Sequence, residues 1–135
     1  MLRYITGGFL ILHGLVHLLY FGQSWRVFQL QPGLLWPDGS WVFAKLLGND
    51  PTRVVASFSL VVAAIGLSIG GVAILLGQAW WQPLVVGSLI FSSILYIAMW
   101  NGRIEQLHNQ GGIGLLINIA ILIAVLVFRW PRFSF

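Results

Sequence analysis

Two histidines four residues apart, His13 and His17, are the residues of this chain whose type and spacing best suit them to chemistry. On a helix that spacing puts both imidazoles on one face, one turn apart. Such a pair can hold one metal ion. A zinc or iron site then needs at least one further ligand, and Glu105, His108 and Tyr96 are the candidates. A bis-histidine haem needs ligands on opposite faces of the porphyrin, so its second ligand would come from another subunit. The pair could equally receive a small hydrophobic or quinone-like molecule, or hydrogen-bond to Ser, Tyr or Asn on neighbouring elements. Thr6, Tyr20 and Ser24 continue the same polar stripe. The cofactor is left open between a quinone-like molecule, a metal and haem.

Other catalytic signatures are missing. The chain has no cysteine, so thiol chemistry, thiolate metal sites and disulfides are excluded. It carries three Asp and Glu in all, none inside an apolar run, and no phosphate-binding glycine loop. Seven Lys and Arg give a net charge of +4, too sparse for the clustered basic face that nucleic-acid binding requires.

The element that carries the histidines is the first of four apolar runs, at about 4–22, 52–76, 81–100 and 113–128. A helix rises about 1.5 Å per residue, so each run can cross a hydrocarbon layer about 30 Å thick with some tilt. Hydrophobic residues make up 59% of the chain and charged residues 7%, against about 25% charged in soluble domains. With a mean hydropathy of +0.91, the surface of such a chain is suited to lipid. The expected fold is a single all-α domain over 1–135, a four-helix transmembrane bundle with both termini on one side. No small-residue cleavage site follows the first run, which is read as a retained helix rather than a signal peptide. Asp50-Pro51 reads as N-cap and first position of the second helix, Gly77-Gln78 as a tight turn, and Asn101-Gly102 as the stop of the third.

Between the first two runs lies a Trp-rich segment with Trp25, Trp36 and Trp41, in which 40–47 can form a short helix. It is too apolar for free solution and too short to span. It is expected to lie in the membrane interface or to fold over the bundle mouth. Small residues at four-residue spacing, Gly66 with Gly70, Ala64 with Ser68, Ser88 with Ser92 and Ala120 with Ala124, let helix backbones approach closely. They serve packing within the bundle, or contact with a second copy or a larger membrane complex.

The helix directions place His17, Tyr20, Ser57, Ser59, Ser92, Ser93, Tyr96 and Asn118 at one depth, in the half of the bundle nearest the Trp-rich segment. The other half is almost purely aliphatic. The expectation is a polar pocket opening towards the long-loop side, with His13, His17, Tyr20, Ser92, Tyr96 and Asn118 as the ligand-binding residues. Arg3, Arg129 and Arg132 lie on the termini side, against Arg26, Lys45, Arg53 and Arg103 opposite, so Lys and Arg counts give no orientation.

The run Gly8-Phe9-Leu10-Ile11-Leu12-His13-Gly14-Leu15-Val16-His17-Leu18 resembles the opening helix of the DoxX-like group of small bacterial four-helix membrane proteins. In that group a glycine is followed three positions later by a polar residue and Leu, here Gly14, His17 and Leu18. A basic residue often stands where His17 stands. The resemblance implies a bacterial inner (cytoplasmic) membrane component associated with redox or quinone-linked complexes. The function expected is thus a non-catalytic or partner-dependent membrane subunit with a small-molecule pocket near His17. The alternatives are a structural or interaction subunit, and a metal or haem protein through His13 and His17.

Overall fold

A computed structural model describes residues 1–135, and all its regular structure is helical. In chain order the elements are α1 (Leu2–Ser24), α2 (Phe43–Leu47), α3 (Asn49–Leu75), α4 (Trp81–Met99), a 3₁₀ segment (Ile104–Asn109) and α5 (Gly112–Leu126). Helices α1, α3 and α4 are long and apolar enough to cross a membrane; α5 is a shorter apolar helix. Its 15 residues correspond to about 22 Å of rise. It stops two residues before the expected end at Phe128. Arg129 takes a left-handed φ of 49°, and the Trp130 N–H turns back to the Ala124 carbonyl at 2.9 Å.

The helices pack in the order α1, α3, α4, α5, so the bundle closes along three seams and stays open along the fourth, between α1 and α5. The α1–α3 seam is tight because glycines face each other across it. A Cβ on Gly71 would come within 2.6 Å of the Gly7 carbonyl oxygen, and a Cβ on Gly14 within 3.0 Å of that of Ala64. Gly66 and Gly70 face Ser88 and Val85 on α4, so these small residues serve packing inside one chain. Large apolar side chains cover the outside, Phe58 at 73% exposed and Leu116 at 68%, around an aliphatic interior of Leu10, Leu60, Leu67 and Leu89. The polar ones point inwards, with His17 at 1% and Ser92 and Asn118 at 0%.

The helix boundaries differ from the expected ones at the start of α3. Asp50 is not the N-cap. The helix begins two residues earlier, at Asn49 instead of Pro51, after Gly48 at φ 84°, and Asp50 lies in the first turn paired with Arg53 at 3.0 Å. A glycine that accepts a positive φ changes the chain direction without any capping side chain.

The Trp-rich segment folds over the bundle mouth, one of its two expected placements. Trp36 is 2% exposed and packs with Leu34, Leu60, Tyr96 and Met99, whereas Trp25 and Trp41 remain exposed. Gln23 ties the segment down: its amide donates to the Leu34 carbonyl at 2.9 Å and its Oε1 accepts from the Leu30 N–H at 2.8 Å. Asp38 clamps it from outside, accepting from Arg26 at 2.8 Å and from Arg53 Nε at 2.6 Å.

Candidate functional site

Helix α1 carries His13 and His17 on its buried face, as their spacing requires, and α4 and α5 bring Ser92 and Asn118 to meet them. Four hydrogen bonds link the group into a closed ring. His13 Nε2 lies 2.6 Å from Asn118 Oδ1, Asn118 Nδ2 lies 3.0 Å from Ser92 Oγ, Ser92 Oγ lies 2.7 Å from His17 Nε2, and His17 Nδ1 lies 3.0 Å from the His13 carbonyl oxygen.

The direction of the ring follows from its one unambiguous acceptor. A backbone carbonyl cannot donate, so His17 Nδ1 carries the proton. Nε2 of the neutral ring then accepts from the Ser92 hydroxyl, which in turn accepts from the Asn118 amide. Asn118 Oδ1 is left to accept from His13 Nε2–H. The second amide proton of Asn118 reaches Ser93 Oγ at 3.3 Å, and Ser93 donates to the Leu89 carbonyl at 2.7 Å. Every link has a donor facing an acceptor, which is the condition for burying such groups at low cost.

Aromatic rings extend the group towards both ends of the bundle. The Phe9 ring stacks on His13 at 6.1 Å, and His13 meets His17 edge-on at 5.5 Å. His17 lies 5.6 Å from Tyr96, Tyr96 5.3 Å from Tyr20, and Tyr20 5.6 Å from Trp36 in the cap. The six residues expected at the site, His13, His17, Tyr20, Ser92, Tyr96 and Asn118, are thus brought together. Ser57 lies apart from the ring and bonds to Ser24 at 2.8 Å.

The members of this group face one another. None of the five main cavities has His13, His17, Ser92 or Asn118 on its wall. Both nitrogens of His17 are engaged by protein partners. Glu105 and His108 sit on the exposed 3₁₀ segment, and His108 bonds to Asn109 at 3.0 Å. No group of three or more His, Asp or Glu side chains converges on a point, so neither Glu105 nor His108 joins the pair, and of the three expected further ligands only Tyr96 lies beside it.

The apolar cavity lies elsewhere, in the half expected to be purely aliphatic. It is a cleft of about 420 Å³ along the open α1–α5 seam, between Ile5, Thr6 and Phe9 on one wall and Ile117, Ala120 and Ala124 on the other. Trp81 and Trp130 stand at its outer end, and Phe9 connects its inner end to the His13 ring. Apart from the Thr6 hydroxyl, bonded to the Leu2 carbonyl at 2.9 Å, the cleft walls offer almost no polar group. The sequence signal for this cleft is the Ala120–Ala124 pair, small residues that line its α5 wall. Compared with family models, curated proteins and solved structures, the chain matches none.

Proposed function

We propose that this chain is an integral membrane protein crossing the bilayer four times, a non-catalytic or partner-dependent subunit that holds a small hydrophobic or quinone-like molecule. The membrane reading rests on the inside-out distribution of polarity, with aliphatic side chains outside and hydrogen-bonded polar ones inside. The resemblance of the first helix to the DoxX-like group accords with it.

The observation that carries the ligand reading is the α1–α5 cleft. Its volume of about 420 Å³ falls within the range of about 300–1,000 Å³ usual for small-molecule sites. Its open side faces the hydrocarbon, so an apolar molecule enters from the lipid without crossing water. The seat is therefore placed against Phe9, one ring above His13, rather than at His17. Phe9 closes the inner end of the cleft and stands between it and the polar ring. A quinone-like head would reach a hydrogen-bonding group there by replacing the link between His13 and Asn118.

The test is mass spectrometry of the full chain purified in mild detergent, beside a variant with Ala120→Phe and Ala124→Leu. One hydrophobic molecule per chain in the wild type, absent from the filled variant, supports the reading. Equal retention by both, or none by the wild type, overturns it and leaves a structural or interaction subunit.

A further inference from the structure

The outer end of the α1–α5 cleft opens into a second cavity of different character. The two share Trp81, Val125, Trp130 and Pro131, and the second adds Gln82, Leu126 and Arg129. An apolar channel thus continues into a polar mouth with a guanidinium on its rim. Arg129 is exposed and belongs to none of the chain's three ion pairs.

Charge on the two faces of the bundle is arranged differently. All three carboxylate side chains, Asp38, Asp50 and Glu105, lie on the long-loop face, and two of them hold Arg26 and Arg53. The termini face carries Arg3, Arg129 and Arg132 and no Asp or Glu. Arg3 is tied to the Leu75 carbonyl at 3.1 Å, closing the end of α3. Arg129 instead stands free at the mouth of the cleft. It also adopts φ 49°, a left-handed conformation that glycine takes without cost and that other L-residues seldom adopt. The helix macrodipole favours a cation at this position, but it does not account for the apolar channel that adjoins it.

An apolar channel ending beside a free guanidinium matches an amphiphile with an anionic head. We propose that the occupant of the cleft is an anionic phospholipid of the surrounding membrane, one acyl chain lying along α1 and α5 and its phosphate at Arg129 with Gln82 beside it. The assignment rests on the cleft being the ligand seat and narrows the ligand class of that seat. Guanidinium and phosphate pair through two parallel hydrogen bonds; phosphatidylglycerol offers its phosphate with no competing cation, the choline of a zwitterionic lipid offsets that charge, and a quinone has no phosphate.

The experiment is native mass spectrometry of the full chain in mild detergent, titrated with phosphatidylglycerol or with phosphatidylcholine of the same acyl chains. The wild type is expected to retain phosphatidylglycerol roughly fivefold better, the value of one basic residue near an anionic head group. Arg129→Gln should abolish that preference, lowering phosphatidylglycerol retention by more than it lowers phosphatidylcholine retention, and Arg132→Gln, outside the mouth, should keep it. Ala120→Phe with Ala124→Leu should lower retention of both lipids. Equal retention of the two lipids by the wild type, or loss of the preference equally in Arg129→Gln and Arg132→Gln, overturns the anionic head while the cleft stands. Undiminished retention of both lipids by the filled variant overturns the cleft itself.

Discussion

His13, His17, Ser92 and Asn118 form a ring in which each member's partner is also another member's partner, so the loss of one link is felt at two places. Asn118 is the branch point, accepting from His13 and donating to Ser92 and Ser93. Replacing it with Ala strands the His13 N–H in an apolar interior. Hydrogen bonds between membrane helices are worth about 0.6 kcal/mol on average and up to about 2. Asn118→Ala is therefore expected to cost about 1–2 kcal/mol in unfolding from mixed micelles. The double variant with His13→Ala should cost less than the sum of the two singles, because both remove the same bond. Unchanged unfolding of Asn118→Ala, or strict additivity, would show that the ring adds nothing to stability. The membership of this ring was legible in the sequence: the i, i+4 spacing set the face, and the helix directions set the depth of Ser92 and Asn118. Its closure on itself was not, because that depends on rotamers and on the His13 carbonyl, which no pattern of side chains reveals.

Two contacts between elements lend themselves to paired tests, one inside the bundle and one outside. Gly71 and Gly8 are both helical glycines, but a Cβ on Gly71 meets the Gly7 carbonyl oxygen at 2.6 Å and Ile11 Cγ1 at 2.7 Å, whereas one on Gly8 meets nothing within 4 Å. Gly71→Ala must push α1 away from α3, and overpacking of this kind costs about 1–3 kcal/mol. Gly8→Ala should be neutral or gain up to about 1 kcal/mol from helix propensity. Thermal unfolding of the two variants in one detergent decides it, and equal effects would contradict the close approach. Outside the bundle, the Asp38 side chain is 12% exposed and holds two arginines, while Asp50 is 90% exposed and holds one. Asp38→Asn should loosen the cap, seen as faster proteolysis between residues 25 and 42. Asp50→Asn should leave that rate within error, since exposed pairs contribute little. Faster cleavage in both would make the clamp a diffuse charge effect. The tryptophan content marked this segment as one that cannot lie free in water, yet it left the segment's position open. What settles its place over the mouth is Gln23 and Arg26 at the end of α1, two residues whose partners lie up to 13 positions further along the chain.

For the molecule as a whole, the length of α5 bears on the number of crossings in the proposed topology. Its 15 residues rise about 22 Å, some 8 Å less than an average hydrocarbon layer, so length alone argues for a helix that stops short. Three features argue the other way. Asn118 is 0% exposed and bonded to α1 and α4, which holds the middle of α5 at the depth of the buried ring. Trp130 and the tail beyond α5 fold onto the termini face, where Phe133 packs edge-on against Trp81 at 5.7 Å. Gly111, at φ 90° with the Tyr96 ring against it, starts the helix at the level of the cap. On the proposed four-crossing reading, a short helix between those fixed ends is accommodated by local thinning of the bilayer, at a fraction of a kcal/mol per Å of mismatch. The α1–α5 seam is left unfilled where Ala120 and Ala124 line it; that spacing marks small residues on α5, but which helix they face depends on two elements some hundred residues apart. The expected topology therefore has an even number of crossings. Cysteines introduced singly at Leu2 and Ser134 should be labelled by a membrane-impermeant maleimide from the same side of oriented vesicles, and one at Glu105 from the other. Labelling of Leu2 and Ser134 from opposite sides would mean three crossings. α5 would then lie along the surface, and the cleft, the ring link through Asn118 and the lipid seat would all lose their second wall.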